Sequence, residues 1–130
     1  IICLREKKND KLTCKAKSRQ GTGCEGRMKR VFICSRYAGD ITRNTATAER
    51  LCRKAVERGC APFAPHLLYT RFLDDGKTSE REAGIACGLT FMEICDEVWV
   101  FTGEGLSDGM RREVDHARRL GKPVIELEVM

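Results

Sequence analysis

The chain has 130 residues, of which 42% are hydrophobic and 33% charged, a balance typical of one globular domain in a chain too short for two. No stretch approaches the roughly eighteen apolar residues of a membrane-spanning helix, and the first residues lack a signal peptide, so we expect a cytoplasmic protein. The net charge of +5 is uneven, because residues 1–30 carry ten Lys and Arg against three acids. We interpret residues 1–29 as a basic extension, which either is exposed to solvent or binds nucleic acid. Exposure to solvent is favoured, because the segment has no aromatic residue for base stacking.

Eight cysteines first suggest a disulfide framework, but five lie in or beside apolar runs, where cysteine acts as a small buried hydrophobe. The other three, Cys3, Cys14 and Cys24, lie in the lysine-rich extension and form no close pair. A structural zinc site usually shows such a pair, so reduced thiols are favoured over zinc. We expect neither a metal nor a cofactor.

The elements follow each other regularly once the extension ends. The sequence "IICLREKKNDKLTCKAK" is compatible with a short hairpin, and "SRQGTGCEGR" is typical of a linker. From residue 30 onward, strands are predicted at 30–35, 60–65, 96–101 and 122–129, and helices at 44–59, 79–95 and 107–121. Gly59 is expected to end the first helix, and Ser79 with Glu82 to form a capping box on the second.

This alternation predicts right-handed crossovers and a parallel sheet covered on both faces. We therefore expect residues 30–130 to form one α/β domain, a Rossmann-like or flavodoxin-like three-layer fold with a sheet of four to five strands. Ligands of such folds bind outside the carboxyl ends of the strands. The loops at 35–40, 65–69 and 102–110 are the places to look for a site.

The third loop, "TGEGLSDGM", has features of an anion site. Its glycines, Gly105 and Gly109 among them, let the backbone approach a ligand closely. Ser107 is a natural N-cap, and the amides of Asp108, Gly109 and Met110 lie at the positive end of the following helix. An ordinary capped turn would have the same sequence, so the pattern alone leaves both interpretations open.

The other two loops contribute polar and aromatic side chains. In "SRYAGD" we consider Ser35, Arg36, Tyr37 and Gly39, because arginine can clamp an anion and tyrosine can stack on a base or bind a sugar. In the second loop, His66 is either an acid, base or sugar contact or a structural residue that caps the loop. Tyr69 is a further substrate-binding candidate.

Glu113 breaks the pattern of the third helix. At about 100° per residue, it falls inside the apolar arc formed by Met110, Val114, Ala117 and Leu120. A carboxylate placed there near the sheet edge would be partly desolvated, as nucleophiles and general bases are. The alternative is an ion pair between Glu113 and a neighbouring arginine at the rim.

Three stretches together resemble the nucleoside 2-deoxyribosyltransferase-like superfamily, and within it a branch of small bacterial and phage proteins. They are "SRYAG" after the first strand, the Pro-His pair at 65–66, and "CDEVWVF" followed by "SDGMRREVDHARRLGKPV". The resemblance implies that Glu113 is a nucleophile that attacks the anomeric carbon of a nucleoside or nucleotide. It also implies that Ser107 and the adjacent amides hold a 5′-hydroxyl or 5′-phosphate, that Tyr37 lies near the sugar, and that the protein forms a homo-oligomer.

The sequence departs from this family at one position. Its enzymes usually carry an aspartate eight residues before the acid that opens the "D-x-V-x-V" strand, and that position here is Gly88. Glu82, Glu93, Asp74 or His66 could substitute as the proton donor. Two functions follow: an N-glycosidase or deoxyribosyltransferase-like enzyme, or a non-catalytic nucleotide-binding or sensing module of phage or prophage origin.

Overall fold

A computed structural model describes residues 26–128 of the chain. The predicted hairpin, most of the linker and the cysteines of the basic extension lie outside these residues. Within them the order of elements follows the prediction, with strands and helices in alternation. The strands are β1 (Lys29–Cys34), β2 (Cys60–Phe63), β3 (Glu97–Phe101) and β4 (Val124–Leu127). The helices are α1 (Ile41–Glu57), the short α2 (Pro65–Leu68), α3 (Thr78–Met92) and α4 (Asp108–Arg119).

The four strands form one parallel sheet in the order β2-β1-β3-β4. In the register of the central pair, Val31 lies beside Glu97 and Cys34 beside Val100. The chain leaves β1 toward one edge of the sheet and returns at β3 on the other side of β1. This reversal is the topological switch point, so the loops after β1 and β3 lie next to each other at the carboxyl edge.

Alternate residues of the central strands enter two separate cores. On one face, Val31, Ile33 and Trp99 pack with Leu51 and Ala55 of α1. On the other face, β1 and β3 pack against α3 and α4, with a core of Phe32, Cys34, Met92, Cys95, Val98, Val100, Met110, Val114 and Ala117. Burial on both faces explains why these strands are continuous apolar runs, and it confirms the predicted three-layer α/β fold.

Two predicted helix starts differ from the structure. Helix α1 begins at Ile41, three residues early, because the Asp40 side chain accepts a hydrogen bond from the Arg43 amide at 3.1 Å and caps it. The predicted capping box of Ser79 and Glu82 is wrong, because α3 begins at Thr78 without a side-chain cap. Gly59 does end α1, with a φ of 79° that favours glycine.

The connection after β2 contains more structure than its polar sequence indicated. Pro65 opens helix α2, and a 3-10 turn over Tyr69–Arg71 follows. The ring of Tyr69 contacts Phe63 on one side and Phe72 on the other. This segment therefore folds over the carboxyl end of β2 and forms a wall beside α3. None of the helices in residues 26–128 is long and apolar enough to cross a membrane.

Candidate functional site

A crevice opens at the carboxyl edge of the sheet, between the loops after β1 and β3 and the segments α2 and α3. It has two lobes of about 70 and about 120 Å³. The α2 lobe is lined by Pro65, Tyr69, Thr70, Leu73, Glu80 and Gly84. The α4 lobe is lined by Ser35, Arg36, Tyr37, Ala38, Ser107, Gly109 and Met110. Both lobes share His66, Asp75, Arg81, Ile85 and Glu113, so the two lobes lie side by side.

Hydrogen bonds from α1 and to the loop after β3 hold the loop after β1 in place. Asn44 of α1 is buried, and its Nδ2 donates to the carbonyls of Tyr37 at 3.1 Å and Ala38 at 3.0 Å. The Nε of Arg36 donates to the carbonyl of Glu104 at 3.1 Å, and the Glu104 carboxylate pairs with Arg43. These contacts join the loops after β1 and β3, so the α4 lobe has a defined shape.

The amino end of α4 faces this lobe. Ser107 is its N-cap as predicted, and its Oγ accepts from the Met110 amide at 3.2 Å. A Cβ added to Gly109 would stand 3.8 Å from Nη2 of Arg81, and one added to Gly105 would stand 3.6 Å from Nη2 of Arg36. Two guanidinium groups thus approach the glycine-rich turn, which already lies at the positive end of the helix dipole. This corner of the crevice is suited to an anionic or strongly polar group.

Glu113 lies one turn into α4, part-buried at the base of both lobes. Burial raises the pKa of its carboxyl group to about 7, although a hydrogen bond from the Cys34 thiol and the charge of Arg112 both oppose the rise. Arg112 itself turns outward and donates both Nη atoms to Glu82, at 2.8 and 2.7 Å. The arginine next to Glu113 thus forms its ion pair with α3, and the Glu113 carboxyl group remains directed into the crevice.

His66 lies opposite, at the start of α2. Its Nε2 is 3.2 Å from Oγ of Ser35, and its ring centroid is 6.0 Å from that of Tyr37. Burial lowers the pKa of the imidazole to about 4, so the ring is neutral near pH 7. A neutral His66 can hydrogen-bond a ligand but adds no positive charge to the crevice.

Nine of the twelve residues proposed from the sequence line the crevice. They are Ser35, Arg36, Tyr37, His66, Tyr69, Ser107, Gly109, Met110 and Glu113. Gly39, Gly105 and Asp108 are absent from the lining found in the described residues. Gly39 and Gly105 adopt positive φ and shape the turns, and Asp108 pairs with Arg111 at 3.4 Å. His116, to which the sequence assigned no role, is likewise not part of the lining.

Sequence reasoning missed the contribution of α3. Arg81, Gly84 and Ile85 line the crevice, and Gly88 lies one turn further along the same helix face. Gly84, Ile85 and Gly88 lie three, four and seven residues after Arg81, a spacing that predicts one face of a helix. The sequence does not single out this face, because α3 has apolar residues on several sides and no amphipathic pattern.

Gly88 occupies the position where the resembling family carries its acid, and no side chain fits there without adjustment. Gly88 is buried, and a Cβ would stand 3.1 Å from Cβ and 3.3 Å from Cγ of Pro65. Of the proposed substitutes, only His66 lines the crevice. Glu82 is paired with Arg112, Asp74 accepts from the Gly76 amide, and Glu93 is exposed at the far end of α3. The crevice instead contains Asp75, whose carboxylate lies 4.0 Å from Nε of Arg81.

The contact between Gly88 and Pro65 predicts different effects of alanine at two glycines of α3. Alanine improves helix propensity by about 1 kcal/mol at either position. At Gly84 the nearest atoms to a new Cβ are at an ordinary 3.6 Å, whereas at Gly88 the proline ring must move. We expect Gly88→Ala to be less stable than Gly84→Ala by about 1–2 kcal/mol in urea denaturation. Equal stabilities would show that Pro65 yields freely and that the position tolerates a side chain.

Comparisons with known proteins agree with this architecture. A family model described as a domain of unknown function (DUF7768) matches residues 29–127. No curated protein matches the sequence. Among solved structures, a 2-deoxyribosyltransferase from the psychrotolerant bacterium Bacillus psychrosaccharolyticus is 20% identical with a TM-score of 0.57, and the match covers 75% of this chain and 70% of that one.

Two further solved structures are similar. A 2-deoxyribosyltransferase from Leishmania mexicana is 15% identical with a TM-score of 0.54, covering 76% of this chain and 63% of that one. A CMP N-glycosidase from Clostridium botulinum is 21% identical with a TM-score of 0.49, covering 75% of this chain and 67% of that one. The chain therefore has the fold of 2-deoxyribosyltransferases, which confirms the fold that the sequence resemblance implied.

Proposed function

The chain belongs to the DUF7768 family, and we propose that it binds a nucleoside or nucleotide in the crevice and cleaves or transfers its N-glycosidic bond through Glu113. One observation carries this proposal. Glu113 is a part-buried carboxyl group with a pKa near 7, placed at the base of a crevice at the switch point of a 2-deoxyribosyltransferase fold. A carboxylate in this setting has the reactivity of a nucleophile because few water molecules compete for its charge.

The reaction proceeds in two steps. In the first, ionised Glu113 attacks the anomeric carbon, a carbon–oxygen ester bond forms, and the bond from carbon to the base nitrogen breaks. The base leaves with the bonding electron pair and takes up a proton. In the second step, water or another nucleobase attacks the same carbon, the carbon–oxygen bond to Glu113 breaks, and Glu113 leaves as a carboxylate while the attacking group loses a proton to solvent. Since the pKa is about 7, a substantial fraction of Glu113 is ionised at neutral pH.

The other crevice residues are suited to holding the substrate. Tyr37 shares the α4 lobe with Glu113 and is placed to contact the sugar. The Ser107 hydroxyl and the Gly109 amide, with Arg81 beside them, suit the 5′ end, whether hydroxyl or phosphate. His66, neutral and bonded to Ser35, offers a hydrogen bond without a charge.

Asp75 is the group best placed to act on the leaving base in the absence of an acid at Gly88. It lines both lobes together with Glu113, while Glu80, another crevice carboxylate, accepts from the Asp74 amide at 2.7 Å. We expect Asp75→Asn to lower the rate of base release about 100-fold, because an amide cannot relay a proton to the base. Asp74→Asn is the matched control, since Asp74 is a neighbour that caps Gly76 and keeps an acceptor oxygen after the change. Equal rates for the two variants would remove Asp75 from the mechanism.

The decisive experiment uses a panel of ribonucleosides, deoxyribonucleosides and their 5′-monophosphates. Each is incubated with the protein, released base is quantified by chromatography, and the melting temperature is measured in parallel. Release of base supports the enzyme. A rise in melting temperature without release supports a nucleotide-binding module, because a ligand stabilises the state that binds it. If neither base release nor a rise in melting temperature is observed, the result argues against both functions.

The packing of Gly88 favours that second function, a non-catalytic nucleotide-binding module. An acid at this position is excluded unless Pro65 moves, and Pro65 is itself buried. In a binding module the crevice would retain its shape and its affinity for nucleotides, while Glu113 would only bind the sugar. The panel separates this case from the enzyme by the presence or absence of free base.

A further inference from the structure

The α2 lobe differs in chemistry from the α4 lobe. Most of its wall is apolar, formed by Pro65, Tyr69, Leu73 and Ile85. The Tyr69 ring is held in place by edge-on contacts, with its centroid 6.4 Å from that of Phe63 and 5.8 Å from that of Phe72. An apolar wall that includes a fixed aromatic ring suits a flat heteroaromatic group.

Gly84 of α3 lines this lobe without a side chain. A Cβ added there would stand 3.6 Å from Cδ1 of Leu73 and 3.6 Å from Cβ of Tyr69, two residues of the same lobe. These are ordinary van der Waals distances, so the fold accepts the added carbon. The carbon would nevertheless lie between the walls of the lobe, and each further carbon of a longer side chain would fill more of the space between them.

The shape of a nucleoside determines which lobe receives the base. The base is bonded to the anomeric carbon, and the 5′ group is attached at the far side of the sugar ring. Glu113 lines both lobes, so an anomeric carbon facing it lies where the lobes meet. The α4 lobe, with Ser107 and Arg81, suits the 5′ end. With the 5′ end there, the base extends into the α2 lobe.

We propose that Gly84 is a specificity-determining residue, whose missing side chain keeps the α2 lobe open for the nucleobase. This role rests on the proposed function, because it needs a nucleoside or nucleotide whose anomeric carbon faces Glu113. It goes further by assigning the base to one lobe and its accommodation to one residue. A larger side chain at this position narrows the α2 lobe, while the α4 lobe keeps its shape.

The α2 lobe also has hydrogen-bond acceptors for the edge of a base. Oε1 of Glu80 accepts from the Asp74 amide at 2.7 Å, which fixes this carboxylate in the wall of the lobe. The Thr70 hydroxyl donates to the His66 carbonyl at 2.6 Å, so its oxygen offers lone pairs to a ligand. Acceptors of this kind suit the amino groups of adenine and cytosine.

The test uses two kinds of small molecule, one for each lobe. Free cytosine and adenine are the probes of the α2 lobe, and ribose 5-phosphate is the probe of the α4 lobe. Dissociation constants are measured by NMR titration of isotopically labelled protein. We expect Gly84→Ala to weaken binding of the bases about tenfold and Gly84→Leu about 100-fold, while the affinity for ribose 5-phosphate changes less than about twofold.

Two control variants separate narrowing of the lobe from general effects of added bulk. Ala83 is the exposed neighbour of Gly84 on α3, and Ala83→Leu should change neither affinity. Gly109→Ala adds a Cβ in the α4 lobe, 3.8 Å from Nη2 of Arg81, and should weaken ribose 5-phosphate more than the bases. If Gly84→Leu does not fold, Gly84→Ala decides the question, because its Cβ makes only ordinary contacts.

The proposal is overturned if Gly84→Ala weakens both kinds of probe equally, or if it leaves the affinity for the bases unchanged. Failure of the unmodified protein to bind either free base would also overturn it. None of these measurements needs turnover. A loss of base affinity confined to the Gly84 variants would therefore support the role of Gly84 even if no base release is found. Base release without that loss would contradict the role of Gly84 alone.

Discussion

Replacing Glu113 with glutamine is expected to lower the rate of base release by a factor of about 1,000 or more. Glutamine has nearly the same size but cannot form the glycosyl ester, so the first chemical step is lost. The shape of the crevice and the groups around the α4 turn are unchanged, and we expect substrate affinity to change only a few-fold. Single-turnover assays and calorimetric titration with the best substrate of the panel measure the two quantities.

Asp115→Asn is the control for this substitution, since Asp115 lies two residues further along α4 and is exposed. It should leave both the rate and the affinity unchanged. Retained turnover in Glu113→Gln would exclude Glu113 as the nucleophile. Loss of affinity together with the rate would point to a binding role in place of a chemical one.

The same substitution is expected to stabilise the protein above neutral pH. Burial raises the Glu113 pKa from an ordinary 4.5 to about 7, so the folded state holds this proton more tightly than the unfolded chain. Burial of Glu113 therefore does not reduce the free energy of unfolding below pH 4.5. As the pH rises from 4.5 to about 7, this group lowers the free energy of unfolding, and its effect is constant at higher pH. The loss amounts to at most about 3 kcal/mol, and Glu113→Gln should recover it at pH 8 but add little at pH 4.

Urea denaturation at both pH values measures this difference. Glu49→Gln, an exposed carboxylate on α1, is the control and should show no such dependence on pH. A stability gain that is equal at pH 4 and pH 8 would show that Glu113 is not desolvated in the folded state. A variant that loses activity but gains stability is expected here, because functional sites often reduce the stability of the fold.

The fold was predictable because its signals are local. Each central strand is an apolar run buried on both faces, and the loop and helix around Ser107 carry a recognisable cap. Helical geometry alone placed Glu113 on the buried side of α4, where the structure has it. Parallel-sheet topology then predicted which loops meet, and nine of the proposed residues line the crevice they form.

The remaining features depend on contacts between distant elements. Ser79 and Glu82 have capping-box spacing, but Glu82 forms a two-pronged contact with Arg112 of α4 and is unavailable to a cap. The hydrogen bond from the Cys34 thiol to the Met110 carbonyl joins a strand end to a helix 76 residues away, so no window of the sequence contains both partners. Asp75 lies in the connection after β2 and Arg81 in α3, and both line the crevice only because these segments pack over the carboxyl edge of the sheet.

The pairing of β1 with β3 also bears on how the chain folds. The Arg30 amide donates to Asp96, a residue 66 positions along, and this contact closes the longest loop in the sheet. Closing a loop of this length costs conformational entropy, and the packing of the strands offsets this cost only after they have paired. Sheets whose strands are far apart in the sequence therefore fold slowly. Ser35 follows β1, Ser107 follows β3, and both line the crevice. The crevice therefore depends on this one pairing, because without it the loops after β1 and β3 are not brought together.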